Sequence, residues 1–423
     1  MTTLLKNGRI IDPANHRDEI GDLLVIDDKI SDASSSDISA EIIDCTGLVV
    51  APGLIDLHVH LREPGQSAKE TIASGTRAAA AGGFTSVVCM PNTSPTVDNP
   101  SVVSWIKEKA AAEGVINVFV TGAITKGIAG EELAPIGSMH KAGIVALTDD
   151  GRCIQNHELM RRALEYARMF DLVVMDHCQD TNLVGKGVMH EGRVSTELGL
   201  PGWPSIGEEI IVQRNAMLAE LCETAIHCQH LSSGGSVRLL REARRRGVRI
   251  TGEVCPHHIA LTDESIRGFD TNFKMNPPLR TQRDIDLLIE GIADGTITIL
   301  ASDHAPHCNY EKEVEFDLAP FGILGLETEF GLFHDILVRK QKAIDLPRLI
   351  ALLTIEPAKL LGIDRGTLSV GAVADITLIN PSLEWKVDRD ASESRSRNTP
   401  FHGRELTGRA VRTLVNGKTV WKL

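Results

Sequence analysis

From about residue 53 to residue 362 the chain repeats one pattern: a short apolar run rich in β-branched residues, then a longer stretch with helical spacing. Eight such runs occur, at Gly53–His60, Thr85–Met90, Asn117–Thr121, Gly143–Thr148, Leu172–Asp176, Thr224–Gln229, Arg249–Val254 and Thr296–Ala301. Runs of this kind suit strands covered on both faces, and strands that alternate with helices form parallel sheets. Eight repeats is the count that closes a TIM-like (β/α)8 barrel. An open doubly wound sheet is the alternative, but no G-x-G-x-x-G follows the first run.

The two ends read differently. Residues 3–50 (LLKNGRIID, DLLVIDDKI, EIIDCTGLVV) and 366–423 (GTLSVGAVADITLINP, GRAVRTLVNGKTVWKL) are short alternating segments with Gly and Asp turns and little helical pattern. Their similar texture predicts that they pair as one small unit. The expected α/β organisation is therefore a composite β-sandwich domain from residues 1–52 plus 363–423, beside a barrel at 53–362. A chain of 423 residues has room for both.

Charge narrows the classes of partner. The formal net charge is −13, from 57 Asp and Glu against 44 Lys and Arg, which argues against a nucleic-acid footprint or an anionic membrane surface. A small anionic ligand would need a local basic pocket. The one basic cluster, Arg238, Arg241, Arg244, Arg245, Arg246 and Arg249, follows a Gly-Gly turn at helical spacing and reads as a solvated helix face. The eight cysteines form no C-x-x-C pair, and the start Met-Thr-Thr-Leu-Leu-Lys has no charged-then-apolar leader. Reduced thiols in a cytoplasmic protein are expected, with Cys178 and Cys308 as packed thiols. No apolar stretch approaches the ~18–20 residues of a membrane span.

The polar residues fall where the strands stop. Run one ends in His58 and His60, run four in Asp149-Asp150-Gly151, run five in Asp176-His177, run six in Gln229-His230, and the eighth is followed by Asp303-His304. In a barrel these tips converge on the C-terminal rim. Two histidines at i and i+2 of a strand share a face, which suits one metal ion. Four histidines and two carboxylates exceed what one tetrahedral zinc takes. Two ions sharing a bridging ligand and water fit the count, and such a pair acidifies that water while polarising a carbonyl. Hydrolysis of an amide-like bond is the expected chemistry.

Some positions stay open at this level. Asp149 and Asp150 lie on opposite faces if the strand runs through both. His257, His258 and Glu253, near the end of run seven, are either ligands or residues that shape a loop or contact substrate. Arg62 in HLREPG, Asn92 in MPNTSP, Asn276 in KMNPPLR and His307 in SDHAPH flank the tips. An arginine with amide and imidazole donors on one rim makes a carboxylate receptor, because guanidinium pairs with carboxylate in a fork.

DLHVHLREPG, the TDDG turn, His177, His230, NPPLR and SDHAPH, with GLET at 325–328, GAVADITLINP and NTPFHG, resemble the class I bacterial-type dihydroorotases of the amidohydrolase superfamily. The match spans about residues 3–420. It implies a zinc-dependent, reversible opening of (S)-dihydroorotate to N-carbamoyl-L-aspartate in de novo pyrimidine biosynthesis, with two Zn2+ per subunit. By the same resemblance His58, His60 and Asp303 hold one zinc, His177 and His230 the other, and Asp150 bridges them. Arg62, Asn92 and His307, with His60, correspond to substrate-binding positions. Asn276 corresponds to a ring contact, Phe321-Gly322 to a backbone contact, and Asp303 to the catalytic proton carrier. The resemblance also makes a homo-oligomer and a complex with aspartate transcarbamoylase expectations.

Related hydantoinases, allantoinases and other dihydroorotase classes carry a bridging lysine at the end of strand four, where this chain reads AGIVALTDDG. That lowers the weight of a hydantoinase-like or allantoinase-like alternative. A non-catalytic scaffold homologue, the other alternative, should have lost ligands, and all six are present. The loop Cys308–Pro320, with Glu311, Lys312, Glu313 and Glu315, reads either as a lid or as a surface excursion.

Overall fold

The computed structural model describes residues 2–32 and 40–423. At its centre eight parallel strands follow one another in chain order: Leu54–Val59, Phe84–Cys89, Asn117–Gly122, Ile144–Leu147, Val173–Asp176, Ile226–Cys228, Ile250–Val254 and Ile299–Leu300. They are barrel strands one to eight. Each overlaps one of the eight sequence runs, the last shortened to two residues. The sheet is nearly closed into a barrel: strand one meets the end of strand eight through a parallel bridge between Val59 and His304. There the His60 N–H donates to His304 O at 2.9 Å, and the Asp56 carboxylate accepts from the Ser302 N–H and hydroxyl groups.

Alternation along the strands sorts the apolar residues into two layers. Val88, Val173, Met175 and Ile299 share one buried cluster. Their chain neighbours Val87, Val174 and Leu300 belong to a second, larger cluster that includes helix residues such as Ala163, Leu240 and Leu288. The first fills the barrel and the second lies between barrel and helices, the arrangement that makes both faces of a parallel strand apolar.

Local signals start and stop the connecting helices. The helix Ile72–Gly82 opens at Thr71, whose hydroxyl accepts from the Ser74 N–H while Ser74 reaches back to the Thr71 N–H. It stops at Gly83, whose φ of 93° is open to glycine and strained for other residues. The arginine cluster lies on and just beyond the helix Gly234–Arg245, which buries Val237, Leu240 and Ala243. Arg241 pairs with Glu290 and Asp294, and Arg246 with Glu242. Arg241 is thus engaged by a neighbouring helix, while Arg238, Arg245, Arg246 and Arg249 stay exposed on a solvated face.

Both termini feed one sheet. The strands Thr2–Asp12, Arg17–Ile26, Lys29–Ser31, Glu41–Asp44 and Val49–Pro52 join Ile376–Lys386, Glu405–Val415 and Lys418–Lys422. The seam is the antiparallel pairing of Val49–Pro52 with Ile376–Lys386. By hydrogen bonding this is a single eight-stranded sheet, with its own core of Leu5, Ile10, Leu23, Val25, Val50, Ile376, Leu378 and Leu414 among others. Ile11, Val49, Ala51, Ile379 and Val415 belong instead to the large barrel cluster, so the sheet and the barrel share a continuous core. All eight cysteines are unpaired, Cys178 buried and Cys308 half-buried. Among the described residues no helix is long and apolar enough to cross a membrane.

Candidate active site

Strand one carries two histidines to the barrel mouth. Its pairing with strand two is irregular between Asp56 and Val59, so simple alternation fails there, yet the His58 and His60 rings lie 5.6 Å apart. Asp150, just beyond strand four, is the hub they face. Its Oδ1 is 3.3 Å from His58 Nε2, 3.5 Å from His177 Nδ1 and 3.6 Å from His230 Nε2, and its Oδ2 is 3.5 Å from His60 Nε2. Asp303 Oδ1 lies 3.1 Å from His60 Nε2 and 3.5 Å from His58 Nε2. His177 Nδ1 and His230 Nε2 approach to 2.7 Å. Six side chains from the ends of five strands therefore meet at one place, and all six are buried.

Asp149 faces away. Its carboxylate accepts from the Ile124 and Thr125 N–H groups and from the Thr125 hydroxyl, tying the end of strand four to the loop after strand three. Three residues of the mouth also hold left-handed backbone, Arg62 at φ 62°, His230 at 32° and Asp303 at 47°. Such a conformation costs an L-residue roughly 1–2 kcal/mol, and it persists where the surroundings over-determine it.

Carboxylates and imidazoles are tightly interleaved in this pocket. Burial by itself pushes the Asp150 and Asp303 carboxyls up, but the facing histidines, His58 foremost, hold both below the usual carboxylate range. Glu253 behaves alike: burial raises it, and His58 with the hydrogen bond from His227 brings it down to about 2. His58 shows the mirror image, since burial lowers its pKa while Asp150, Glu253 and Asp303 raise it well above its ordinary value. Three carboxylates packed among imidazoles, away from water, are relieved by a cation.

The donor set fits a metal ion. His58 Nε2 is buried with no hydrogen-bond partner, while its Nδ1 is 2.6 Å from Glu253 Oε1. A ring held by a carboxylate on one nitrogen, with the other nitrogen turned to a cluster of donors, is the arrangement of a metal-ligating histidine, and a cation there would take the place of the proton that the carboxylates otherwise favour on His58. His58, His60 and Asp303 form one group, and His58, Asp150 and His230 another, whose ligand atoms lie within 4.8 Å of one another.

A cleft of about 520 Å³ opens beside this cluster. His60, Arg62, Asn92, Asn276, His307, Phe321 and Gly322 all line it. Arg62 Nε donates to Pro306 O at 3.1 Å, and His307 Nε2 donates to Phe321 O at 2.8 Å. Burial, then the nearby Arg62, Lys312 and Lys69, push the His307 imidazole down to about 2, so it is neutral. Asn92 Oδ1 is 3.0 Å from His60 Nδ1, and Asn276 Nδ2 donates to Gln179 Oε1 at 3.2 Å. Gly322 sits at φ 124°, and a Cβ there would come within 2.7 Å of Ala305 Cβ and 3.3 Å of His307 Nε2. Of the segment 308–320 only Pro320 lines the cleft. Its middle is fastened by Lys312 Nζ, which donates to Thr271 O and Pro320 O.

Comparison with known proteins bears on the family. A dihydro-orotase-like family pattern matches residues 47–236 and an amidohydrolase family pattern matches 213–421. The dihydroorotase of Pelotomaculum thermopropionicum is 52% identical over 422 residues, covering 99% of this chain and 98% of that protein. That of Geotalea daltonii is 50% identical over 425 residues, with both chains fully covered.

The chain belongs to the dihydroorotase family.

It is a metal-dependent cyclic amide hydrolase. Among solved structures, L-hydantoinase (dihydropyrimidinase) from Arthrobacter aurescens superposes with a TM-score of 0.89 at 25% identity, covering 100% of this chain and 96% of that one. The dihydropyrimidinase from Brevibacillus agri superposes with a TM-score of 0.87 at 24% identity, covering 100% and 95%, and shares the fold.

Several residues of this dihydroorotase-family site escape reading from sequence. Glu253 is left undecided there, yet it accepts from His227, from the His230 N–H and from His58. Gln179 lies 2.8 Å from His177 Nε2, and its i+2 spacing from His177 could have found it by the logic that picks out His58 and His60. Arg152 at the cleft wall and Lys69, whose Nζ is 3.5 Å from His307 Nδ1, carry no such signal. Replacing Glu253 with Gln is expected to weaken metal retention about 10–100-fold, as chelator titration followed by metal analysis would measure. Unchanged retention would assign Glu253 to packing alone.

Proposed function

We propose that this cleft opens and recloses the dihydroorotate ring, interconverting it with N-carbamoyl-L-aspartate. The observation that carries the reading is the meeting of four histidines and two aspartates beside a cleft lined by an arginine and a neutral histidine. One end suits hydrolysis of an amide and the other suits a carboxylate. Relatives over the whole chain that carry the name dihydroorotase add support.

In this reading His58, His60 and Asp303 hold one Zn2+, His177 and His230 a second, and Asp150 lies between them. When bound, such a pair acidifies a shared water and draws charge from a carbonyl oxygen. Arg62, Asn92 and His307 hold the ring carboxylate, while Asn276 and the Phe321-Gly322 backbone orient the ring beside His60. Asp303 takes the proton of the attacking water and passes it to the ring nitrogen as the C–N bond breaks. During ring closure the same carboxylate receives the nitrogen proton. Its acidity makes it a short-range carrier rather than a strong free base. The catalytic unit is assigned to residues 53–362 and the composite β-domain to 1–52 with 363–423.

Steady-state assay of ring opening and closure with metal analysis tests the function. Turnover of dihydroorotate is expected; turnover of hydantoin or allantoin in its place would sink the proposal. The hydantoinase-like reading rests on fold neighbours alone, and strand four ends without a lysine. Arg62→Met is expected to lower kcat/KM about 10²–10³-fold, mainly through KM, because the ring carboxylate loses its forked partner. An equal loss for a ring lacking the carboxylate would remove Arg62 from that role.

A cytoplasmic enzyme fits the eight unpaired thiols. A complex with aspartate transcarbamoylase belongs to the same proposal, and so does a homo-oligomer. Support for the latter comes from the helix Ile206–Cys222, which exposes Ile206, Ile210, Met217 and Leu221. Their spacing reads the same in either direction, so the stripe can pack on a copy of itself across a twofold axis. Sedimentation of Ile210→Glu/Met217→Glu should give a smaller particle than wild type, and an unchanged one would exclude this face.

A further inference from the structure

Behind the cleft lies a second group of soft donors that the reaction above does not use. Strand seven ends at Val254, and Cys255, His257 and His258 follow it at the start of the short helix Pro256–Ala260. All three are buried, with His257 1% and His258 2% exposed and Cys255 at zero. One ligating atom from each lies within 4.8 Å of the others.

The hydrogen bonding of these residues is incomplete in a particular way. His258 Nε2 donates to Pro277 O at 3.0 Å, which leaves its Nδ1 as a bare lone pair, and that atom has no partner. Neither ring nitrogen of His257 has one either. A buried polar atom without a partner costs about 1–3 kcal/mol, and three such atoms side by side need an explanation. A donor on one ring nitrogen satisfied by a backbone carbonyl, with the other nitrogen free, is what metal-ligating histidines show.

The surroundings favour a cation over an anion. The thiol of Cys255 is pushed up by its burial and then by Asp303, Glu253, Asp56 and Glu329, four carboxyl groups acting from nearby. Both oxygens of Glu329 are also buried without a hydrogen-bond partner. Helix Glu329–Phe333 packs against helix Pro256–Ala260, so these carboxyl groups come from several elements, and burial keeps that of Glu329 well above the usual carboxylate range.

We propose that Cys255, His257 and His258 form a separate binding site for one soft or borderline cation, Zn2+ or Cu+ in class. Thiolate and imidazole are the donors such ions select, and hard cations such as Mg2+ do not. Binding replaces the thiol proton with the metal–sulfur bond, so one proton leaves to solvent and no electrons move. The three residues supply two neutral nitrogens and one anionic sulfur. None of them lines the cleft, so the site binds and stabilises without taking part in ring opening.

Cobalt(II) is the probe. Protein stripped with chelator and reloaded with Co2+ is expected to show a near-ultraviolet thiolate-to-cobalt charge-transfer band, which carboxylate and imidazole ligands do not produce. Cys255→Ser should lose that band and about one metal equivalent per chain, with ring-opening activity retained. His257→Gln, a second route in case the serine variant folds poorly, should lose the same equivalent while leaving Cys255 in place. No band in the wild type, a band that survives in Cys255→Ser, or equal metal content in all three proteins would overturn the proposal. The readout is a difference between proteins, so it stands whether the cleft cluster holds one ion or two.

Discussion

Asp150→Ala is expected to cost on the order of 10⁴-fold in kcat/KM, with loss of metal from the cleft cluster. The reason is geometric. Asp150 lies within 3.6 Å of all four histidines, reaching His58, His177 and His230 through Oδ1 and His60 through Oδ2. Alanine leaves His58 and His60 with Asp303 alone and takes away the carboxylate that faces His177 and His230. His177 and His230, already 2.7 Å apart, then have no shared anion to hold them toward the cleft. Elemental analysis and steady-state rates on the same preparation measure both quantities. A variant with full metal and full activity would remove Asp150 from the centre.

Asp303→Asn separates holding from proton transfer. The amide keeps an oxygen that can face His60 and His58, so metal content should fall less than in Asp150→Ala. What disappears is the ability to accept and release a proton, a function worth about 10²–10⁴-fold in rate. kcat should drop by that factor with KM nearly unchanged, and it should drop in both directions, because one group serves ring opening and ring closure. Loss in only one direction, or a change confined to KM, would reassign Asp303 to metal holding or substrate binding. The position's left-handed backbone, at φ 47°, is one that asparagine adopts readily, so the variant should fold.

Much of the site is legible in the sequence alone. The five strand-end motifs carry their donors in the same phase, and a parallel barrel can only bring such ends together on one rim. His58, His60, Asp150, His177, His230 and Asp303 accordingly meet. The eight runs are recognisable because strands covered on both faces must be apolar throughout. Residue types also limited the chemistry, since imidazole and carboxylate without paired thiols point to a metal hydrolase. The terminal segments were recognisable as strands by alternation, a local property.

Other assignments needed distances across the chain. Asp149 and Asp150 are chemically identical neighbours; what separates them is that the loop after strand three offers N–H donors to Asp149. Glu253 lies 195 positions from His58, and nothing local to either announces their 2.6 Å contact. The pairing of residues 49–52 with 376–386 likewise joins segments more than 300 positions apart, which texture can propose but only register can establish. His257 and His258 stay open in the sequence between ligands of the main cluster and residues that shape a loop or contact substrate, and a short helix gathers them around Cys255. Periodicity and composition act over a few residues, so they settle which elements form and which donors they carry. Contacts between distant elements depend on how those elements pack, and that packing chose which donors meet, which carboxylate faces the four histidines and which buried nitrogens were left without a partner.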